Sequence, residues 1–273
     1  MKYWLLTTTV TAIVAAGPAF AADLPTMKAP PPAPAPAVYD WSGFYIGGTA
    51  GGAWTDAGVG LNPVNGAIPN YPAGDLPALT ALGSPSLKEA NAIFGGKLGY
   101  NLQSSAWVFG LEGDLSSFRF NRSAATTGNP FAGDPSPSYF VAFNSQASTT
   151  WLATLRPRLG FAVDRALFYG TAGVAFGNVS FSNTETDHSP WGAGADGRAA
   201  SSASQTKVGW TVGAGVDYAL AANWVLSVEY LHVDLGSIKA SEVETSGNGS
   251  SATLNFSTRV TSDLARVGVG YKF

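Results

Sequence analysis

Residues 208–220 read VGWTVGAGVDYAL, and their parity decides the fold. The even positions hold Val208, Trp210, Val212, Ala214, Val216, Tyr218 and Leu220, and the odd ones hold Gly209, Thr211, Gly213, Gly215 and Asp217. A period of two places the apolar set on one face of an extended strand and the small and charged set on the other. The same alternation recurs in eight runs, at about 42–54, 89–102, 106–118, 149–163, 166–181, 206–220, 223–235 and 255–273. The apolar faces carry almost no charge. The opposite faces collect Lys97, Glu112, Asp114, Arg156, Arg158, Asp217, Glu229, Arg266 and Lys272, with glycines such as Gly95, Gly99, Gly110, Gly173 and Gly268 between them. A sandwich or barrel in water would do the reverse, turning apolar residues inward and charges out. Uncharged outer faces around a polar interior fit a barrel whose surroundings are lipid. A crossing strand needs about 9–11 residues, and these runs supply that length.

The connections alternate as well. Three are tight, at 103–105, 164–165 and 221–222, and four are long, at about 55–88, 119–148, 182–205 and 236–254. The long ones are rich in Gly, Ser, Asn, Pro and Thr. Tight turns on one side and long loops on the other predict an all-β fold. It is an eight-stranded antiparallel up-and-down transmembrane β-barrel with short periplasmic turns and long extracellular loops. In that orientation Trp41, Tyr100, Trp107, Phe161, Phe168, Tyr218, Trp224, Tyr271 and Phe273 gather near the periplasmic end. They read as an aromatic girdle at a lipid interface, with Trp41, Tyr100, Trp107, Tyr218 and Trp224 supplying its indoles and phenols.

Composition agrees with this reading and excludes others. Charged residues make up 12% of the 273, about half the usual 25% of a soluble protein. There is no cysteine, so no disulfide framework, cysteine metal site or thiol nucleophile exists. A net charge of −3 leaves no basic footprint for nucleic acid. Lys2, the apolar stretch Tyr3–Ala16, the break at Gly17-Pro18 and the small residues Ala19 and Ala21 predict a signal peptide over 1–21. Residues 22–39, ADLPTMKAPPPAPAPAVY, predict an extended periplasmic leader, either a passive spacer or a segment touching the cell wall. The barrel domain then covers 40–273. No further stretch is apolar enough to span as a helix.

Several segments resemble a known family. DWSGFYIGGTAGGAW at 40–54, after the ADLP and Pro-rich leader, is similar to the opening of small alphaproteobacterial outer-membrane proteins. These are identified as outer-membrane immunogenic or porin-family barrels of the OmpA-like eight-stranded group. WVFGLEGDLS at 107–116, LRPRLGFAVDRALFYGTAGVAFGNV at 155–179, NWVLSVEYLHVDLG at 223–236 and RVGVGYKF at 266–273 resemble its recurring strands, as does the stretch at 208–220. The resemblance covers about residues 1–54 and 90–273 and implies fold and compartment rather than activity. It implies a surface antigen and envelope component; some members are haem-binding or porin-like. Phe273, with Tyr271 two residues before it, resembles the terminal signal read by the barrel assembly machinery.

The candidate chemistry lies inside. An eight-stranded barrel is just wide enough for side chains to fill it, and a buried charge needs a partner. Arg156 and Arg158 face the same way on one strand, and Glu112 and Asp114 do so on its neighbour, so cross-strand ion pairs are expected. They would either plug the lumen or line a narrow ion path. Of the two histidines, His188 follows Asp187 in a long loop, and His232 shares parity with Asp234 near the outer rim. Either is a haem or metal candidate, His232 with Asp234 is a rim-hydrolase candidate, and the plain reading is two histidines without a ligand. No Gly-x-Ser-x-Gly elbow, His-Glu-x-x-His or EF-hand loop is present, and Gly47, Gly48, Gly51 and Gly52 form no phosphate loop. Tyr71, Phe131, Tyr139 and Trp191 in the long loops are candidates for contact with a partner or for packing the loops together. The expected protein is structural and surface-exposed, contributing to envelope integrity and surface interactions. It is not an enzyme and has no cofactor. Its partners are outer-membrane lipid, the assembly machinery and extracellular or cell-wall contacts, without nucleic acid. The alternative is a narrow porin or a haem-binding transport protein.

Overall fold

A computed structural model describes residues 39–63, 74–130, 139–188, 197–245 and 251–273. The predicted signal peptide and nearly all of the leader lie outside them, as do Tyr71, Phe131 and Trp191. Among the described residues there are eight strands and one short helix. In chain order these are β1 (Gly43–Pro63), α1 (Leu76–Leu82), β2 (Ser86–Ser104), β3 (Trp107–Gly128), β4 (Phe140–Val163), β5 (Ala166–His188), β6 (Arg198–Ala219), β7 (Trp224–Thr245) and β8 (Ser251–Lys272). Each strand pairs antiparallel with the next, and β1 closes the ring on β8. No described helix is long and apolar enough to cross a membrane. The tight turns fall where the sequence puts them. Ser105 and Asp164 take positive φ angles of 57° and 51°, in keeping with two-residue hairpin loops that match strand twist.

The strands run 19 to 24 residues, far longer than the sequence reading. Most of 55–63, 119–128, 182–188, 198–205, 236–245 and 251–254 is strand rather than loop. β5 shows why. Its outer face reads Phe168, Ala172, Val174 and Phe176, then changes to Asn178, Ser180, Ser182 and Thr184. Its inner face changes in the opposite sense, from Tyr169 and Thr171 to Ala175, Val179 and Phe181. The alternation persists while its polarity inverts, so a search for apolar outer residues ends where the wall does not. At about 3.3 Å per residue the strand continues about 40 Å past Phe176.

Two strands add a change of parity at this level. In β4 the inward positions pass from Arg158, Arg156, Thr154 and Leu152 to Thr149, Ala147, Ser145 and Phe143, across a register shift between Ser148 and Leu152. In β7 they pass from Leu231, Val233 and Leu235 to Ile238, Ala240 and Glu242, across a shift between Asp234 and Ser237. Gly236 sits in that β7 bulge at φ 72°, a conformation open to glycine at little cost.

The interior therefore has layers. Trp41, Val108, Ala162, Leu167, Tyr169 and Ala219 close the end nearest the tight turns. A charged layer lies above them. Above that is an apolar core that includes Phe118, Phe143, Phe181, Leu235, Phe256 and Leu264. Leu79 of α1 is fully buried in that upper core.

Candidate functional site: the charged interior

Arg156 is the hub and is 0% exposed. Its Nη1 donates to Glu229 Oε1 at 2.9 Å, and its Nη2 to Glu112 Oε1 at 2.7 Å and Asp114 Oδ2 at 3.0 Å. Arg266 donates to the other oxygens of two of these, Asp114 Oδ1 at 3.0 Å and Glu229 Oε2. Arg158 donates to Asp217 Oδ2, to Glu112 Oε2 at 3.3 Å and to the Tyr45 hydroxyl at 3.0 Å. Lys97 lies 3.5 Å from Glu112 Oε2 and donates to Ser227 Oγ at 3.1 Å. Tyr45 donates to Glu112 Oε2 at 2.8 Å, and the Arg158 guanidinium lies over the Tyr169 ring at 3.8 Å from its centre.

The β3–β4 register sets Glu112 opposite Arg156 and Gly110 opposite Arg158, so long side chains from neighbouring strands meet over short ones. A Cβ on Gly99 would stand 2.4 Å from the Tyr45 hydroxyl, and one on Gly215 would stand 2.5 Å from that of Tyr169. These glycines clear the floor on which the tyrosines and arginines lie. Lys97, Arg156, Arg158 and Arg266 face Glu112, Asp114, Asp217 and Glu229, so cations and carboxylates balance inside a buried layer. A set this interlocked avoids the several kcal/mol that each unpaired buried ion costs.

Two assigned residues lie elsewhere. Lys272 is only half-buried; its ammonium donates to the Ser42 carbonyl at 2.9 Å and lies 5.4 Å from the centre of the Tyr39 ring. It sits at the barrel end, outside the interior ion network. Trp41 does not face outward: it is 1% exposed and packs inside with Val108 and Leu167. Although it precedes β1, it keeps the inward parity of Tyr45 and Thr49. Tyr100, Trp107, Tyr218 and Trp224 are exposed on the outer face, with Trp107 against Phe161 and Trp224 against Tyr271. Tyr271 and Phe273 are exposed with their rings 5.2 Å apart, and the Phe273 amide donates to the Phe44 carbonyl at 2.9 Å.

The sequence reading missed a second aromatic ring. Trp54, Trp151 and Tyr230 each end the apolar outer face of their strand, and Trp210 stands one outward position before Val208, the last on its strand, all opposite the first girdle. Their signal was available: each stands at or next to the last apolar outward position before the polarity change. The outer band between the two aromatic levels runs Ile46–Trp54 on β1, Trp107–Leu115 on β3 and Phe168–Phe176 on β5, close to the span of a crossing strand.

The histidines make no rim site together with Asp234. Asp234 is held by Arg259, while His232 Nδ1 lies 2.8 Å from Asp263 Oδ1 on the outer face beside Trp210. The Asp234 carboxylate accepts instead from Arg259 of β8 and from the Gly236 amide in the bulge. His188 is at the end of β5, stacked on Phe140. Tyr139 is buried in the upper apolar core instead of being displayed.

Known proteins place this geometry. The model of the outer membrane protein beta-barrel domain matches residues 29–273. The chain is 32% identical to the 31 kDa outer-membrane immunogenic protein of Brucella melitensis, over 93% of each chain. It is 27% identical to the 22 kDa outer membrane protein of Rhizobium leguminosarum bv. viciae, over 88% of this chain and 82% of that one. Among solved structures it is similar to the outer membrane protein OprG from Pseudomonas aeruginosa, with 14% identity, a TM-score of 0.41, and coverage of 85% of this chain and 96% of that one. The band between the aromatic levels is the part that lipid surrounds. This chain is an outer-membrane β-barrel and belongs to the outer membrane protein beta-barrel domain family.

Proposed function

We propose that the protein is a structural, surface-exposed wall element of the envelope, without catalytic activity and without a through-pore. One observation supports this above others: the lumen is crossed by the ion network centred on Arg156, capped below by Trp41 and above by the apolar core. A side-chain-filled lumen resists collapse and passes no solute. The polar upper barrel presents its surface to the outside, while the outer band meets lipid. Tyr271 and Phe273 at the closing end of the chain serve as the signal for the assembly machinery.

Single-channel recording in planar bilayers tests this reading. The reconstituted chain is expected to be electrically silent. Stepwise, ion-selective conductance that changes on Arg156→Ala would establish the narrow-porin alternative, and saturable haem binding lost on His232→Ala would establish the haem-binding one.

A further inference from the structure

The wall above the lipid band has two seams. One lies between β2 and β3, whose pairing stops at Phe94 and Ser117. It is filled: Asn91 donates to the Arg119 carbonyl at 2.6 Å, the Asn121 amide to Glu89 at 3.0 Å, and Thr126 to the Leu82 carbonyl of α1 at 2.6 Å. The other lies between β6 and β7. Below it the ladder ends at Trp210 and Asp234, and above it only Arg198 and Thr245 pair. Residues 199–209 are held by β5 alone, and the facing stretch of β7 by β8.

The top of this second seam is lined by carboxyl groups. Glu185 and Asp187 of β5 and Glu242 and Glu244 of β7 are all buried. Glu185 is 1% exposed, and neither of its oxygens has a partner. A Cβ on Gly197 would stand 2.5 Å from both Asp187 Oδ1 and Glu244 Oε1, so these two carboxyl groups converge on one point, an arrangement that a proton on one of them stabilises. Asp187 also accepts from the Gly197 amide just before β6, and Glu242 accepts from Asn183 at 3.2 Å. These contacts tie β5, β6 and β7 together across the unpaired stretch. Among the described residues, the other inward neighbours carry no charge: Phe143 and Ser145 from β4, Ala199 and Ser201 from β6, and Phe256 from β8. Tyr139 is buried at the same end, while Arg198 and His188 are exposed.

We propose that these four carboxyl groups form a proton-held clasp that keeps the β6–β7 seam shut, and that loss of its protons opens the wall sideways. Burial, then the neighbouring Glu244, Glu242 and Asp187, pushes the Glu185 carboxyl up to about 9. Burial, then Asp187, pushes Glu244 up to about 7. Burial also raises Glu242. Both lie above the ordinary 4.5, so the closed form binds more protons than the open one. The clasp is therefore complete below about 4.5 and is lost as pH rises through about 7 and then about 9.

The native chain has no cysteine, which makes the test clean. Ala203→Cys places a thiol on the inner side of β6 in the seam; Ser204→Cys places one on the exposed side of the same strand. Each full-length variant, in vesicles with chelator present, is labelled with a water-soluble thiol reagent from pH 6 to pH 10. The ratio of the two rates cancels the shared thiolate titration. That ratio is expected to rise at least about tenfold with pH, the change that about 1.4 kcal/mol produces. It should stay low and flat with Glu185→Gln and Glu244→Gln, and with an oxidised Arg198→Cys/Thr245→Cys cross-link. A flat ratio in the parent background overturns the proposal, and so does an undiminished rise in the cross-linked protein. Those two results do not depend on whether the glutamine variant folds.

Discussion

The lipid band and the upper barrel are built from the same eight strands with opposite chemistry. In the band, Leu111 and Val212 face outward while Glu112 and Arg156 are buried. In the upper barrel, Phe181 and Phe256 are buried while Ser180 and Ser204 face outward. The band obeys the rule of a wall in lipid, where the apolar side must be outside and the polar side inside. The upper barrel obeys the rule of a wall in water, where the hydrophobic effect drives apolar surface inward. The shared backbone shows that strand pairing is indifferent to the solvent; the side chains alone mark where it changes. The β4 and β7 bulges sit at this boundary and let two strands exchange faces without leaving the ring.

The sharpest way to break the comparison is to remove its hub. Arg156→Met leaves Glu112, Asp114 and Glu229 short of a partner in the buried layer and should cost about 3–5 kcal/mol. Urea unfolding in vesicles reads this directly, and loss of the fast-migrating unboiled gel band gives a second readout. A matched deletion in the upper barrel, Phe181→Ala, empties an apolar core and should cost about 3 kcal/mol. Its effect should appear as faster hydrogen exchange above the band with little change below. If both substitutions loosened the whole barrel equally, the two regions would be one cooperative unit and the distinction would be only chemical.

Outer-face substitutions sharpen the boundary. Leu111→Arg, in the band, should destabilise by about 2–4 kcal/mol, whereas Ser180→Arg on the upper outer face should change stability by under about 0.5 kcal/mol. The smallest expected effect is at the exposed Lys88–Asp56 pair, 3.3 Å apart on the upper barrel. Lys88→Ala should cost less than about 0.5 kcal/mol, and that cost should vanish in high salt.

The band was readable because two constraints coincide there: strict alternation, and charge confined to one parity. Both mark 208–220 and 155–163 without any structure in hand. The pairing of Arg156 and Arg158 with Glu112 followed from neighbouring strands of like parity. The third partner did not. Glu229 reaches Arg156 across the lumen from β7, and no local pattern encodes a contact across a barrel. The upper barrel was hidden for a different reason. Its outward Ser, Thr and Asn residues are also the residues of loops, and in β4 and β7 the parity changes at the bulge. The clasp was hidden for the same reason, since Glu242 and Glu244 became inward-facing only after Gly236 shifted the register. Trp41 was misplaced because it was assigned by its nearness to the barrel end; its odd position, shared with inward Tyr45 and Thr49, pointed inside.

The central claim is that one level along the barrel divides lipid from water on the outer face. Single cysteines along β5 test it most directly, at Ala172, Val174, Phe176, Asn178, Ser180 and Ser182, each labelled in intact vesicles with a water-soluble maleimide. The account predicts protection at the first three and full reactivity at the last three, with the step between Phe176 and Asn178. Equal reactivity at all six, or protection that extends through Ser182, would contradict it.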